Sequence, residues 1–200
     1  MDEFRTGFLC FPCRTRHYPA ASPDVIAVGG TSLALDARGN YSSETAWSGS
    51  GGGQSVYECE PLVQAQLPIP EDSRGVRGLP DVSYNANPGT GYAIYDSVGI
   101  NGASGWFQVG GTSAAAPQWA ALIAIANSMR TANRKAHLTS TNGALYGVAK
   151  AGITANFHPV TAGVNGSCGQ LCDAAVGYDY VTGLGTPQAA VLIQSFVARP

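Results

Sequence analysis

Residues 110–117 read GGTSAAAP and lie between two apolar segments of different character. The preceding run at 106–109 is short and apolar, which is typical of a buried strand. The following segment, 113–134, is rich in Ala, Leu and Ile and has no glycine or proline after Pro117, which predicts a helix. Pro117 is expected in the first turn of that helix, where its missing N–H is tolerated. The stretch therefore predicts a strand, a sharp glycine turn and a helix that begins at Ser113.

Similar segments alternate along the rest of the chain. Strands are predicted at 24–28, 31–35, 81–86 and 92–95, a surface loop at 65–77, and further helices at 142–149 and 187–197. Strands that alternate with helices predict an α/β fold with a mostly parallel sheet flanked by helices. Residues 1–17 show no clear pattern and are interpreted as an irregular lead-in, which leaves 18–200 as one domain.

Composition excludes several classes of protein. Lys and Arg number 11 against 13 Asp and Glu, a net charge of −2, so no nucleic-acid partner is indicated. Charged residues make up only 12% of the chain, about half the usual ~25%. Few carboxylates mean little change in charge on acidification, which suits a protein that works in acid. No run of about 18 apolar residues is present, so no membrane span is expected, and no signal peptide is recognisable at the start.

Ser113 is the candidate nucleophile. At a helix N-terminus, unpaired backbone N–H groups and the positive end of the helix dipole favour developing negative charge. The small residues 114–116 leave room for a peptide to approach, as acyl transfer through a serine requires. The alternative is that Ser113 only caps the helix.

Three motifs together resemble one peptidase family. GTSAAAP before a long apolar helix resembles the serine motif shared by subtilisins and sedolisins. Residues 79–86 (LPDVSYNA) and 177–187 (GYDYVTGLGTP) resemble sedolisin segments, and 18–33 and Phe157-His158 also fit. The resemblance covers about 18–197 and implies the C-terminal part of a catalytic domain with a subtilisin-like fold, with the N-terminal half missing.

The resemblance implies an acid-acting, extracellular, serine-type endopeptidase that hydrolyses peptide or protein substrates. Asp81 matches the family Asp that contributes to the oxyanion hole, where only a protonated carboxyl could donate a hydrogen bond. The alternative for Asp81 is a turn cap after Pro80. The glycine-rich loop of Ser50, Gly51, Gly52 and Gly53 resembles the segment that lines the substrate cleft, the alternative being a flexible turn.

The general base of the family is not found in this chain. Sedolisins use a Glu oriented by an Asp four residues later on one helix face. Glu3, Glu44, Glu58, Glu60 and Glu71 are followed at that distance by Gly, Ser, Leu, Gln and Gly. His17 is the one histidine that precedes Ser113, and no partner Asp accompanies it. The chain alone is therefore expected to be a poor enzyme, and the rival hypothesis is an inactive fragment or peptide-binding remnant.

A calcium site is implied by the resemblance but is altered. Asp179 and the carbonyl groups of Val160, Ala175 and Gly177 match the family ligands, while Pro159 replaces the second Asp. Because calcium prefers six to eight oxygen ligands with several carboxylates, weakened binding or none is expected, and the alternative for Asp179 is a loop residue that only accepts hydrogen bonds. Separately, Cys168 and Cys172 flank a short loop that a disulfide could close in an oxidising compartment.

Overall fold

The computed structural model describes residues 18–69 and 75–200, so the predicted lead-in at 1–17 lies outside the described residues. Within these ranges the strands are β1 Val28–Leu35, β2 Tyr41–Ala46, β3 Gly53–Cys59, β4 Val76–Leu79, β5 Val82–Asn85, β6 Tyr92–Ile100, β7 Ala103–Val109, β8 Phe157–His158 and β9 Thr186–Pro187. The α-helices are α1 Thr112–Ala132, α2 Thr141–Ala151, α3 Ile153–Asn156 and α4 Ala189–Ala198. Short 3-10 helices lie at Pro88–Thr90 and Gly169–Cys172.

The central sheet has the order β2-β1-β5. Strand β1 pairs with β5 in parallel, with Val28 opposite Val82, and with β2 antiparallel. The other described strands form two-stranded antiparallel pairs, β3 with β4, β6 with β7 and β8 with β9. The predicted α/β class is confirmed, but parallel pairing among the described strands is confined to β1 and β5. Where strands follow one another by short turns, antiparallel pairing is the natural result.

Strand β1 corrects the prediction of two strands separated by Gly29 and Gly30. Both glycines lie inside the strand and are buried. A Cβ on Gly30 would lie 2.7 Å from the Ala86 Cβ and 3.3 Å from the Thr112 Cγ2. Gly30 therefore allows β1 to pack closely against the start of α1, and the two glycines do not form a turn.

Helix α1 packs against β1 and β5 of the central sheet and against helix α4. Its buried residues, Ala115, Trp119, Leu122 and Ala126, recur three or four positions apart and so form one helix face. The Trp119 indole donates a hydrogen bond to the Ser83 carbonyl at 3.0 Å, which ties the helix to β5. This face packs in one core with residues of α2 and α4.

Arg130 joins the far end of α1 to the end of α4. Its side chain is buried, with 3% of its surface exposed. Nη1 donates to the Phe196 and Arg199 carbonyls at 2.9 and 3.0 Å, and Nη2 donates to the Pro200 carbonyl at 3.0 Å. The Phe196 carbonyl lies in the last turn of α4, and the other two follow the helix, so Arg130 fixes the end of α4 and the residues after it.

A disulfide joins Cys168 to Cys172, as the spacing predicted. No helix in the described part of the chain combines the length and apolarity needed to cross a membrane.

The core makes a direct stability prediction. Leu192 is fully buried in α4, whereas its neighbour Val191 is 47% exposed. Leu192→Ala should lower the free energy of unfolding by about 2–5 kcal/mol, because it removes buried methyl groups and leaves a cavity. Val191→Ala should change it by less than about 0.5 kcal/mol. Urea denaturation followed by circular dichroism measures both, and equal losses would contradict the assigned core.

Candidate active site

Ser113 is the second residue of α1 and is exposed to solvent. Gly111 caps the helix with a φ of 107°, a backbone conformation that favours glycine, and this turn places the serine at the helix N-terminus as predicted. Pro117 is the sixth helical residue, so the prediction that it lies in the first turn is wrong. Because proline has no N–H, it leaves the Ser113 carbonyl without the usual i+4 hydrogen bond.

No base contacts the serine in the described residues. Within 18–69 and 75–200, no carboxylate or imidazole side chain is hydrogen-bonded to Ser113. A serine hydroxyl is a weak nucleophile until an adjacent base removes its proton. The geometry thus presents a nucleophile position without the group that would activate it.

A cavity of about 280 Å³ lies beside the N-terminus of α1. Its walls include Thr112 from the helix and Gly51 and Gly52 from the glycine loop, and Leu79 and Pro80 form another side. The structure therefore brings part of the predicted substrate loop next to the predicted nucleophile. The walls are mostly apolar or backbone, as is usual for a site that takes a side chain of a substrate.

The four loop residues have different roles. Ser50 is buried, and its hydroxyl accepts a hydrogen bond from the Gly30 N–H at 2.9 Å, which fixes the loop to β1. Gly51 is exposed, and Gly53 already belongs to β3. At Gly52 a Cβ would lie 1.8 Å from the Tyr180 carbonyl oxygen, so only glycine fits there. The loop is thus packed in place, and this does not match the alternative of a flexible turn.

Asp81 has surroundings that the sequence did not reveal. Asp81 and Arg77 are both fully buried and form a two-pronged ion pair. Arg77 Nη2 lies 2.7 Å from Asp81 Oδ2, and Nη1 lies 3.1 Å from Oδ1. The predicted surface loop at 65–77 is therefore wrong at its end, where Arg77 enters β4 and points inward.

Three further donors complete the shell around the Asp81 carboxylate. The Ala27 N–H donates to Oδ2 at 2.7 Å, and the Tyr146 hydroxyl donates to Oδ1 at 2.7 Å. Gln64 Nε2 donates to Oδ1 at 3.2 Å. Burial, and after it the negative charge of Asp81, raise the pKa of the Tyr146 hydroxyl.

The prediction that Asp81 donates a proton to an oxyanion is at odds with this shell. The Asp81 side chain is fully buried, is engaged by Arg77 and three further donors, and does not line the cavity beside α1. The arrangement instead gives Asp81 a structural role in joining β4, β5 and α2. One signal in the sequence was available, since Arg77 precedes Asp81 by four residues, but the spacing alone does not show that both are buried.

The predicted calcium ligands do not form a set that fits the ion. Asp179 is buried, and its Oδ1 accepts from the Val181 and Thr182 N–H groups at 2.8 and 2.7 Å. Its Oδ2 accepts from the Thr182 hydroxyl at 2.9 Å and from the Ala175 N–H at 3.2 Å. The carboxylate is therefore satisfied by protein donors, and at Ala175 it is the amide N–H that faces it.

The other predicted ligands add no charge. Val160 is buried and Gly177 is half-buried, and both would offer only carbonyl oxygens. In the described part of the chain, no group of three or more His, Cys, Asp and Glu side chains is placed to hold a metal ion. A calcium ion, which binds best where several carboxylates meet, has little to hold it here.

Comparison with known proteins gives a consistent set of relatives. The chain is 36% identical over 185 residues to sedolisin of Pseudomonas sp. (strain 101) and 35% identical over 192 residues to kumamolisin of Bacillus sp. (strain MN-32). It is 35% identical over 205 residues to tripeptidyl-peptidase sed1 of Aspergillus fumigatus. These matches cover 88%, 90% and 92% of this chain but only 29%, 32% and 31% of the relatives. The chain thus spans about a third of their length.

The fold agrees with the sequence matches. Pseudomonas sedolisin, a serine-carboxyl proteinase solved with two molecules of pseudo-iodotyrostatin, superposes with a TM-score of 0.74 at 34% identity. The superposition covers 92% of this chain and 50% of that structure. No family model matches the chain. Together, the sequence matches and the shared α/β fold show that the chain is part of a sedolisin-family protein.

The buried ion pair predicts a specific cost for losing Asp81. Asp81→Asn should lower the free energy of unfolding by about 3–5 kcal/mol, because it leaves the Arg77 charge buried without a partner. Arg77→Met should be similarly costly, and the double variant Arg77→Met/Asp81→Asn should lose less than the sum of the two single losses. Chemical denaturation measures all three.

A matched control for these variants is Asp24→Asn, which removes an exposed carboxylate and should cost less than about 0.5 kcal/mol. If Asp81→Asn left stability unchanged and only reduced peptidase activity, the structural role would be wrong and the oxyanion role would return.

The closed shell around Asp179 predicts that calcium is not needed for folding. Removing divalent cations with EDTA should leave the thermal midpoint of unfolding unchanged, and millimolar CaCl₂ should not raise it, because ligand binding stabilises only the state that holds the ligand. Differential scanning calorimetry with and without EDTA checks this. A midpoint that falls in EDTA and recovers with calcium would restore the family site.

Proposed function

We propose that this chain carries the nucleophile of an acid-acting serine-type endopeptidase, with Ser113 as the attacking group. The observation that carries the proposal is the position of Ser113, exposed at the N-terminus of the 21-residue helix α1 and next to the cavity lined by Gly51, Gly52 and Thr112. A peptide seated along the glycine loop would bring its scissile carbonyl to the helix end.

The helix terminus suits the chemistry of acyl transfer. Attack by the Ser113 oxygen on a peptide carbonyl places negative charge on the carbonyl oxygen. The first backbone N–H groups of a helix have no internal partners and point toward such a charge. Preorganised donors of this kind are usually the largest single contribution to stabilising the transition state. Asp81 is not needed for this step, because its carboxylate is held in the ion pair with Arg77.

The general base is assigned to a part of the peptidase other than the described residues. The chain spans about a third of the length of its relatives, and no described carboxylate contacts Ser113. A complementary segment, corresponding to the missing N-terminal half of the resemblance, would supply a carboxylate base and close the other side of the cleft.

Relatives differ in where they cut. One is a tripeptidyl-peptidase, whereas another is described as a serine-carboxyl proteinase. We assign internal cleavage to this protein because the cavity beside α1 is open and is formed partly by the exposed Gly51.

Two features support an extracellular compartment and an acidic working pH. A disulfide between Cys168 and Cys172 favours an oxidising compartment, as expected of an extracellular enzyme. The low share of charged residues, 12%, limits the build-up of charge in acid. No calcium ion takes part in the proposed chemistry.

A rival function has one observation in its favour. The lack of a base beside Ser113 in the described residues is what an inactive, peptide-binding remnant would show. Such a remnant would still hold an extended peptide along the glycine loop, but it would release that peptide uncut.

Digestion of a reduced, denatured protein substrate at pH 3–7 tests the proposal. The chain should cleave at internal positions, identified by mass spectrometry, once the complementary segment of a relative is added. Ser113→Ala should lower the rate by about 10⁴-fold or more, because removing a nucleophile removes the covalent route.

Ser128→Ala is the matched control, since Ser128 is an exposed serine on the same helix, and its rate should be unchanged. A folded chain that binds the peptide but stays inactive with the complementary segment present would establish the remnant. Release of tripeptides alone would correct the assignment to an exopeptidase.

A further inference from the structure

A second, smaller cavity lies away from Ser113, between β1, β2, β5 and the β8–β9 pair. Its volume is about 120 Å³, and its lining includes Tyr41, Glu44, Tyr84, Asn85, His158 and Thr186. None of these residues lines the cavity beside α1. The peptidase chemistry proposed above uses none of them, so their arrangement calls for a separate explanation.

Glu44 is the acidic group of this cavity. Its side chain is half-buried, and Oε1 accepts a hydrogen bond from the Thr31 hydroxyl at 2.5 Å. Oε2 accepts from the Thr186 hydroxyl. An ionised carboxylate can accept about four hydrogen bonds, so about two positions remain for a ligand. The two threonines are buried, so they fix the carboxylate in one orientation.

Aromatic rings form the walls around this carboxylate. The Tyr41 ring stacks on the His158 ring with centroids 4.0 Å apart and planes inclined by 10°. Tyr84 lies on another side, and the negative charge of Glu44 adds to burial in raising the pKa of both tyrosine hydroxyls. Tyr41 is 40% exposed, so the stack stands at the mouth of the cavity.

We propose that this cavity binds a primary ammonium group, with the Glu44 carboxylate as its hydrogen-bond acceptor and the rings of Tyr41 and Tyr84 among its walls. A cation near a tyrosine face is attracted by the ring quadrupole, and the attraction grows when water is excluded. An ammonium group has three donors, of which two can take the free positions on the fixed Glu44 carboxylate.

Size and charge select this ligand class over others. A volume of 120 Å³ equals about four water molecules at ~30 Å³ each, so an aminomethyl group fits and a large side chain does not. An anion would meet the Glu44 charge. A metal ion would find a single carboxylate, since no group of three or more metal-binding side chains occurs in the described residues.

The ammonium group could come from a lysine side chain or from a free peptide N-terminus. Both present the same NH₃⁺ group, which is attached to a methylene carbon in lysine and to the Cα atom at a peptide N-terminus. Two probes separate these sources: Nα-acetyl-lysine methylamide carries only the side-chain ammonium, and glycine methylamide carries only the α-ammonium.

Titration of the full 200-residue chain with n-propylammonium chloride at pH 7, followed by NMR, tests the site. Ring signals of His158 and Tyr41 should shift and saturate, and 1-propanol and propionate of the same size should not move them. Glu44→Gln should weaken binding about tenfold or more, because it replaces a charge-assisted hydrogen bond by a neutral one.

Asp24→Asn removes an exposed carboxylate elsewhere and should leave the affinity unchanged. Should Glu44→Gln not fold, Tyr41→Ala serves instead, because it keeps the acceptor and removes one wall. It should weaken binding about two- to fivefold, while Tyr41→Phe retains the affinity.

Equal affinity of wild type, Glu44→Gln and Tyr41→Ala would overturn the proposal, as would shifts of similar size with 1-propanol. Loss of affinity in Asp24→Asn as well would mean that ammonium ions collect around negative charge in general, which also overturns it. None of these outcomes depends on peptidase activity, so the test stands apart from the function proposed for Ser113.

Discussion

A single buried ion pair organises this fold. Arg77 and Asp81 carry opposite charges with no exposed surface, and two charges can be tolerated inside a protein only when each is closely paired. The Asp81 carboxylate also collects donors from Ala27 before β1 and from Tyr146 in α2. Segments far apart in sequence must therefore come together at Asp81 before its carboxylate has all of its hydrogen-bond donors. The cost of failing to do so is high enough to specify the arrangement.

The candidate site around Ser113 is built next to this ion pair. Leu79 and Pro80, which connect the two charged residues, form a wall of the cavity beside Thr112, and the glycine loop forms another. Ser50 holds that loop to β1 through the Gly30 N–H. The Arg77–Asp81 ion pair on one side and the packed glycine loop on the other thus fix the walls of the cavity, while Ser113 is exposed. Positioning and chemistry are divided between different residues.

Much of this arrangement could be predicted from the sequence, and the rest could not for identifiable reasons. The helix after GGTSAAAP was predictable because a long apolar run without glycine has one common outcome. Strand β1 was misjudged because paired glycines usually mark a turn, whereas Gly30 is required by the nearby Ala86 and Thr112. The surroundings of Asp81 could not be predicted, because they are formed by Arg77, Gln64 and Tyr146, which meet only in the folded structure. Local sequence patterns predict helices and strands, whereas the contacts of a buried carboxylate depend on the tertiary structure.

Helix α1 has a different kind of importance at its other end. It is about 30 Å long at 1.5 Å per residue, with Ser113 at one end and Arg130 at the other. Arg130 donates hydrogen bonds to carbonyl groups at and after the end of α4, so it joins the C-terminal end of α1 to residues 196–200. A substitution of Arg130 would therefore loosen the contact between α1 and α4 at the end of the helix that lies farthest from Ser113.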